Sequence, residues 1–115
     1  MISIYAQSTQ YISVSVTNSQ GVNPTSDAVQ FAFLGPVSNS SQANEMVPTS
    51  ATTYYTGFWP STLPVPNTVN TYNAAILIGP DGGSVSLSTG TYLCVLKITD
   101  SPEVPVLFSG PLIVS

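Results

Sequence analysis

The sequence of 115 residues has no histidine and no arginine, a single lysine, Lys97, and a single cysteine, Cys94. Without histidine there is no imidazole to act as a base near neutral pH or to bind a metal. A serine nucleophile would depend on Lys97, which lies in a strand pattern, and no G-x-S-x-G motif is present. One cysteine excludes an intramolecular disulfide. These absences predict a protein that is not an enzyme and that binds no cofactor.

Charge is scarce as well: charged residues make up 5% of the chain, and the formal net charge is −4. A single cation cannot displace the counterions of a nucleic acid or bind an anionic membrane surface, so both partners are excluded. No apolar run approaches the length of about 20 residues that a membrane span needs. Such low charge gives weak colloidal protection, and we therefore expect the protein to act inside an assembly, as a homo-oligomer or in many copies.

The carboxylates offer two weaker alternatives. Asp100 and Glu103 lie three residues apart in a proline-containing loop, where turn chemistry explains both without acid–base catalysis. Together with Asp81 they could instead gather at one end of a sandwich and bind calcium, a cation that prefers clustered carboxylates. No D-x-D-x-D-G spacing supports such a site, so the sequence predicts no metal.

Residues 87–100 carry the strongest strand pattern of the chain. After the turn residues 88–90, alternation with period 2 places Tyr92, Cys94, Leu96 and Ile98 on one face, and Leu93, Val95, Lys97 and Thr99 on the other. A glycine followed by a tyrosine two residues before a cysteine is how immunoglobulin-like sandwiches enter a central strand, where the tyrosine hydroxyl bonds back to the backbone. The alternative is an ordinary buried strand. Either way, this is a core strand of an all-β domain.

Turn signals divide the rest of the chain into further short strands. Residues 35–50 are polar and irregular, with a short helical turn possible at 42–46. About seven to nine strands, with turns every 8–12 residues or so, predict an immunoglobulin-like antiparallel β-sandwich that forms a single domain over residues 1–115. The other strands are expected at 2–6, 10–17, 27–34, 51–59, 71–78 and 84–87, followed by a hairpin of 105–108 and 112–114 that bends at Gly110 and Pro111.

Three predicted strands are apolar on both faces, whereas a sandwich buries only one face of each strand. If these strands are neighbours, one outer face carries a contiguous apolar patch, which usually marks an interaction site. The alternative is that loop 35–50 or 60–70 covers this face. Phe58 and Trp59, directly before Pro60, offer a second anchor for a partner. The alternative is that they fill the core between the sheets. The predicted protein-interface residues are Leu34, Leu77, Leu93, Val95, Phe58 and Trp59.

Strand and turn patterns occur in residues 11–17 (YISVSVT), 24–33 (PTSDAVQFAF), 74–80 (AAILIGP), 90–92 (GTY) and 98–106 (ITDSPEVPV). Through these segments, most of the chain resembles small proteins encoded in the structural operons of tailed phages of actinobacterial hosts. Residues 35–70 match this pattern least. The resemblance implies an immunoglobulin-like virion protein without enzymatic activity, among head, neck or tail components, and no functional residues come with that family.

The sequence thus predicts a non-enzymatic structural protein of the virion that packs against capsid, connector or tail subunits. Capsid decoration and a head–tail or tail-associated role both fit. The alternative from another class is a β-sandwich module that binds carbohydrate or a cell surface, with Tyr54, Tyr55 and Trp59 as stacking platforms for sugar rings.

Overall fold

The computed structural model describes residues 2–17, 23–61, 63, 65–66, 70–99 and 106–115. A 3-10 helix, Pro24–Ser26, and a short helix, α1 (Ser40–Asn44), accompany seven strands in this part of the chain. The strands are β1 (Ile2–Ile4), β2 (Gln10–Thr17), β3 (Ala28–Val37), β4 (Tyr55–Thr56), β5 (Thr71–Ile78), β6 (Gly90–Thr99) and β7 (Val106–Val114).

The strands form two sheets of unequal width. The large sheet has the order β1-β7-β6-β3-β4, and the small sheet consists of β2 and β5. All pairings are antiparallel except that of β1 with β7. The register of the small sheet runs from Gln10 opposite Ile78 to Thr17 opposite Thr71. The prediction of an all-β fold built from two sheets is therefore confirmed.

The two sheets enclose one apolar core, which we call the inner cluster. Strand β6 supplies the face that the sequence predicts to be buried, because successive side chains of a strand point to opposite faces. From the small sheet come the alternate apolar residues of β2 and β5. Principal members of the inner cluster are Ile12, Val16, Phe31, Ala74, Ile76, Ile78, Tyr92, Cys94, Leu96, Ile98 and Leu112.

A hydrogen bond fixes the entry of the chain into β6. The hydroxyl of Tyr92 donates to the carbonyl oxygen of Ser88 at 2.8 Å, and it lies 3.1 Å from the hydroxyl of Ser88. Tyr92 itself is buried in the inner cluster. The bond therefore ties a core side chain to the turn before its own strand, and the backbone bond predicted from the glycine–tyrosine–cysteine spacing is confirmed.

Two strand ends differ from the prediction. Strand β3 does not stop at Leu34 but continues through Gly35 and Pro36 to Val37, with an irregularity in its pairing to β6. Gly35 has a φ of +139° there, which side-chain-bearing residues rarely adopt. The predicted hairpin at Gly110 is likewise wrong, because β7 is one strand that pairs with β6 throughout and absorbs a bulge beside Gly110.

Residues 55–59 pass from one sheet to the other. Tyr55 and Thr56 pair with β3, whereas Phe58 exchanges two backbone hydrogen bonds of 2.8 Å with Ala75 of β5. Gly57 lies at the crossing, where a Cβ atom would be only 2.5 Å from the Phe31 ring. The long strand predicted at 51–59 is therefore reduced to β4, because its second half joins the small sheet.

The region predicted as a strand at 84–87 forms a single bridge instead. Val85 pairs with Ile78 outside the named strands, and the Gly79 N–H donates to the Val85 carbonyl at 2.9 Å. Val85 is buried in the inner cluster, so this turn closes the end of the core without extending a sheet.

Replacing Tyr92 with phenylalanine tests the corner hydrogen bond. The Tyr92→Phe variant keeps the buried ring but leaves the Ser88 carbonyl without its donor, and we expect a loss of about 1 kcal/mol in the free energy of unfolding. Urea titration followed by circular dichroism measures it. Ser88→Ala retains the backbone acceptor and serves as the control, with a smaller expected loss; equal losses in both variants would contradict the role of the backbone bond.

Candidate interaction surfaces

The outer face of the large sheet is covered by the chain's own residues. Residues 38–54, which include α1, fold over β3 and β6 and form a second apolar cluster, which we call the outer cluster. Its buried members are Ala32, Ala43, Leu93 and Val95, and Leu34, Val37, Met46 and Tyr54 pack against them.

Local hydrogen bonds explain why a helix forms in this cover. The side chain of Asn39 accepts from the N–H of Gln42 at 2.9 Å, which satisfies a donor that the first helical turn leaves free. In return, the side-chain oxygen of Gln42 accepts from the N–H of Ser38 at 2.9 Å. This reciprocal arrangement resembles a capping box and orients Ala43 toward the sheet.

The cover corrects the prediction for two interface residues. Leu93 and Val95 do lie on the outer face, opposite Tyr92 and Cys94, but they are 3% and 0% exposed. Leu34 is half-buried against the same cluster. Leu93 and Val95 are therefore not available at the surface, and the alternative that loop 35–50 covers this face is the one that the structure supports.

Sheet membership corrects a second point. The predicted contiguous patch required β3, β5 and β6 to be neighbours, but β5 pairs with β2 in the small sheet. Leu77 of β5 consequently lies on a different surface of the molecule from Leu34 and the outer cluster. The apolar outer faces of β3 and β6 join in the outer cluster, whereas that of β5 lies apart from them.

An exposed aromatic patch occupies the outer face of the small sheet instead; we define it as Tyr11, Phe58 and Leu77. Tyr11 pairs with Leu77, and Phe58 is bridged to Ala75, so all share one face. The rings of Tyr11 and Phe58 meet edge to face, with centroids 5.6 Å apart. Tyr11 is 61% exposed and Phe58 42%, while Leu77 is half-buried. Two of the predicted interface residues therefore meet here.

The sequence analysis missed Tyr11. It begins the polar face of β2, which continues with Ser13, Ser15 and Thr17, all exposed. The sequence signal that could have identified Tyr11 is an aromatic side chain on a strand face whose other members carry hydroxyl groups. The crossing of the chain at Gly57 brings Phe58 beside Tyr11. This is a long-range contact, which the alternation of residues along the chain does not reveal.

Trp59 takes the position of a plug at the edge of the core. It is half-buried against the inner cluster, and its Nε1 donates to the carbonyl oxygen of Asp27 at 2.9 Å. Tyr55 packs against the same cluster, whereas Tyr54 packs against the outer one. The three rings named as sugar platforms therefore do not share one exposed face.

Acidic side chains form no recognisable site in the part of the chain that the structure describes. Asp81 lies in the turn after β5, where its N–H donates to the Thr9 hydroxyl at 3.0 Å. Asp100 and Glu103, the other carboxylates of the calcium alternative, lie outside the described residues. Within the described ranges no three metal-ligating residues of the histidine, cysteine, aspartate or glutamate types come together.

Cys94 is fully buried in the inner cluster, and this burial raises the pKa of its thiol from 9.0 to about 11. Ser109, whose hydroxyl would donate to a thiolate, opposes the rise to a lesser degree. A thiolate is the nucleophilic form of cysteine. The protonated, inaccessible Cys94 is thus a packing residue, as its place in the strand pattern predicts.

No protein-family model matches the chain, and no curated protein matches it either. In the described part of the chain, no helix has the length and apolar character needed to cross a membrane.

Two aspartate substitutions distinguish the covered face from the exposed one. Leu93→Asp places an unpaired charge in the outer cluster, and we expect it to lower the free energy of unfolding by about 3–5 kcal/mol. Leu77→Asp, on the half-exposed aromatic patch, should cost about 1 kcal/mol or less. Chemical denaturation of both variants measures the difference. A Leu93→Asp protein as stable as the wild type would mean that residues 38–54 do not cover the sheet.

The buried thiol predicts a loss of stability at high pH. Below pH 9 the thiol is protonated in both the folded and unfolded states, so it contributes no pH dependence. Between pH 9 and about 11 only the unfolded chain ionises, and stability should fall by up to about 2–3 kcal/mol. Urea titrations across this range, with Cys94→Ala as the control, isolate the effect; an equally steep fall in the variant would assign it to other groups.

Proposed function

We propose that this protein is a non-enzymatic interaction module that docks on neighbouring proteins through the aromatic patch. The observation that carries the proposal is the exposed edge-to-face pair of Tyr11 and Phe58 on the outer face of the small sheet, where the β2 row is otherwise polar. Rigid aromatic side chains of this kind are enriched among the residues that dominate binding energies. They bury large areas at a small cost in side-chain entropy.

The contact would be formed by apolar packing rather than by charge. Each Å² of apolar surface removed from water contributes roughly 25 cal/mol, so two rings and a leucine form a compact anchor. With charged residues at 5% of the chain, few ion pairs are available to orient a partner. The polar row of Ser13, Ser15 and Thr17 beside the patch supplies uncharged hydrogen-bonding groups for the rim of such an interface.

The resemblance noted in the sequence suggests where such a module works. We propose a structural protein of a phage virion, present in many copies, as a capsid decoration or as a head–tail or tail-associated subunit. Its partners would be capsid, connector or tail proteins. The finer assignment of the fold as immunoglobulin-like belongs to the same proposal; the Tyr92–Ser88 bond and the pairing of β2 with β5 opposite a larger sheet support it.

Carbohydrate binding remains the alternative, and the geometry favours it less. Trp59 is half-buried and packs against the inner cluster, so less of its ring is open to a sugar than that of Tyr11, which is 61% exposed. Tyr54 lies under the ammonium group of Lys97, with Nζ 4.2 Å from the ring centroid.

Light scattering over a concentration series tests the proposal. We expect the wild type to form a trimer, hexamer or larger ring, and Phe58→Ser to shift the mass toward the monomer with the fold intact by circular dichroism. Val47→Ser is the matched control, because Val47 is 69% exposed and lies in the covering loop away from the patch. An oligomer unaffected by Phe58→Ser would contradict docking through the patch.

If the wild type is monomeric at every concentration, the partner is a different protein. Purified capsid, connector and tail proteins of the same phage are then mixed with the wild type and with Phe58→Ser. Binding that the variant loses supports the proposal, and absence of binding to all of them overturns it.

A further inference from the structure

One edge of the sandwich is incomplete among the described residues. The small sheet ends at β2, which has β5 on one side and no described strand on the other. In the large sheet, β7 lies beyond β6, but β1 pairs only with its second half, Leu112–Val114. The rest of β7, from Val106 to Pro111, therefore has an outer edge that is unpaired in the described structure.

The hydrogen bonds of β5 show which main-chain groups of β2 face this edge. Ala75 bonds Phe58 through both its N–H and its carbonyl oxygen, so its polar groups point away from β2. In an antiparallel ladder the bonding side alternates along each strand, so Ala74 and Ile76 bond β2 through Val14 and Ile12. The N–H and carbonyl groups of the intervening Ser13 and Ser15 consequently point toward the open edge.

A gap of about 350 Å³ lies along this edge. Residues 13–16 of β2 form one wall, residues 107–109 of β7 form the other, and Leu96 lies between them. Leu107 pairs with Leu96 and so shares its inward face, yet it is 40% exposed, because no described strand of the small sheet lies over it. This part of β7 thus projects beyond the small sheet.

The wall on the β7 side has two unusual features. Val106, Leu107 and Phe108 are consecutive, apolar and between 39% and 59% exposed, a pattern that folded proteins avoid except where it serves a function. Next to them, the Ser109 hydroxyl is buried, and among the described residues its polar neighbour is the Cys94 thiol, a weak hydrogen-bonding group. Open strand edges are normally protected by charges, prolines or bulges; β7 contains Pro111 and the bulge beside Ser109, but Val106–Val114 includes no charged residue.

We propose that this gap binds one extended segment of another protein, which adds a strand to β2. Its backbone would pair with the N–H and carbonyl groups of Ser13 and Ser15, and alternate side chains would pack on Leu96 and Leu107. This is the mode of recognition known as β-strand addition, in which the main chain supplies affinity and side-chain pockets supply specificity.

The walls define the chemistry of the segment. None of the described residues that line the gap is charged, so the inward positions of the segment are uncharged and apolar. The side chains of Ser13 and Ser15 point outward from β2, so the outward positions of the segment meet hydroxyl groups and are polar. The ligand is therefore a short stretch of alternating apolar and polar residues without proline.

A second copy of this chain does not fit at the same edge. If β2 paired with β2 of a copy related by twofold symmetry, each copy would place its projecting β7 beneath the other's small sheet, where β6 already lies. The gap has room for a single strand but not for a second sandwich. The site shares Ser13 and Ser15 with the polar row beside the aromatic patch but uses their main-chain groups rather than Tyr11 and Phe58. It does not rest on the function proposed above, so either proposal can fail without the other.

Hydrogen exchange of the full chain, read by NMR, tests the site. In the free protein we expect slow exchange for the amides of Ile12 and Val14 and fast exchange for those of Ser13 and Ser15. The probe is a peptide of about eight alternating threonine and valine residues, a common strand length, with a lysine at each end. At about ten times its dissociation constant it should slow exchange at Ser13 and Ser15 about tenfold. The same peptide with a central proline should have no effect.

Two variants locate the peptide. Ser13→Pro removes a donor at the open edge without removing a bond to β5, and it should abolish binding, whereas Ser13→Thr should retain it. If the proline variant does not fold, Leu107→Lys places a charge in the gap and should also abolish binding. Val47→Lys, at an exposed position away from the gap, is the control for added charge.

Three results would overturn the proposal. Slow exchange of Ser13 and Ser15 in the free, dilute protein would mean that the chain covers its own edge. Protection that grows with protein concentration would assign the edge to a second copy. Rapid exchange that the alternating peptide leaves unchanged would mean that the gap does not accept a strand.

Discussion

The crossing of the chain at Gly57 is the constraint on which the arrangement of the two sheets depends. There the backbone lies so close to the Phe31 ring and the Ala75 carbonyl that a side chain has no space. Because Gly57 has no side chain, the backbone can cross between the sheets here, so β4 pairs with the large sheet while Phe58 pairs with the small one. The same step sets Trp59 against Asp27 and places the Phe58 ring beside Tyr11. The link between the sheets and the exposed aromatic patch thus have one cause.

Alternation along the chain predicted the strands whose two faces differ in burial. Strands β2 and β5 have the predicted bounds, and the inward face of β6 has the predicted residues, since period 2 is a local property of the backbone. The corner bond of Tyr92 was also predictable, because its partner is only four residues away. The continuation of β3 past Gly35 and of β7 past Gly110 was not predictable. Glycine and proline signal a turn, but they also occur in a strand that continues past a bulge.

The candidate site depended on contacts that no local pattern contains. Leu93 and Leu77 look alike in the sequence, as apolar residues on the second face of a strand. Residues 38–54 bury the first, whereas the second lies in another sheet beside Tyr11. Which sheet a strand joins and which loop lies over it are set by pairing between distant segments. The sequence therefore indicated excess apolar surface correctly and located only part of it.

The cover over the large sheet has a consequence for how this architecture can vary. Residues 38–54 connect β3 to β4, which are neighbours in the sheet, so the cover is an enlarged hairpin loop that folds back over β3 and β6. A chain with the same two sheets and a short turn at this point would keep its inner cluster but lay bare Ala32, Leu93 and Val95. The length of one loop thus decides whether the chain covers this apolar face itself or needs another protein to cover it.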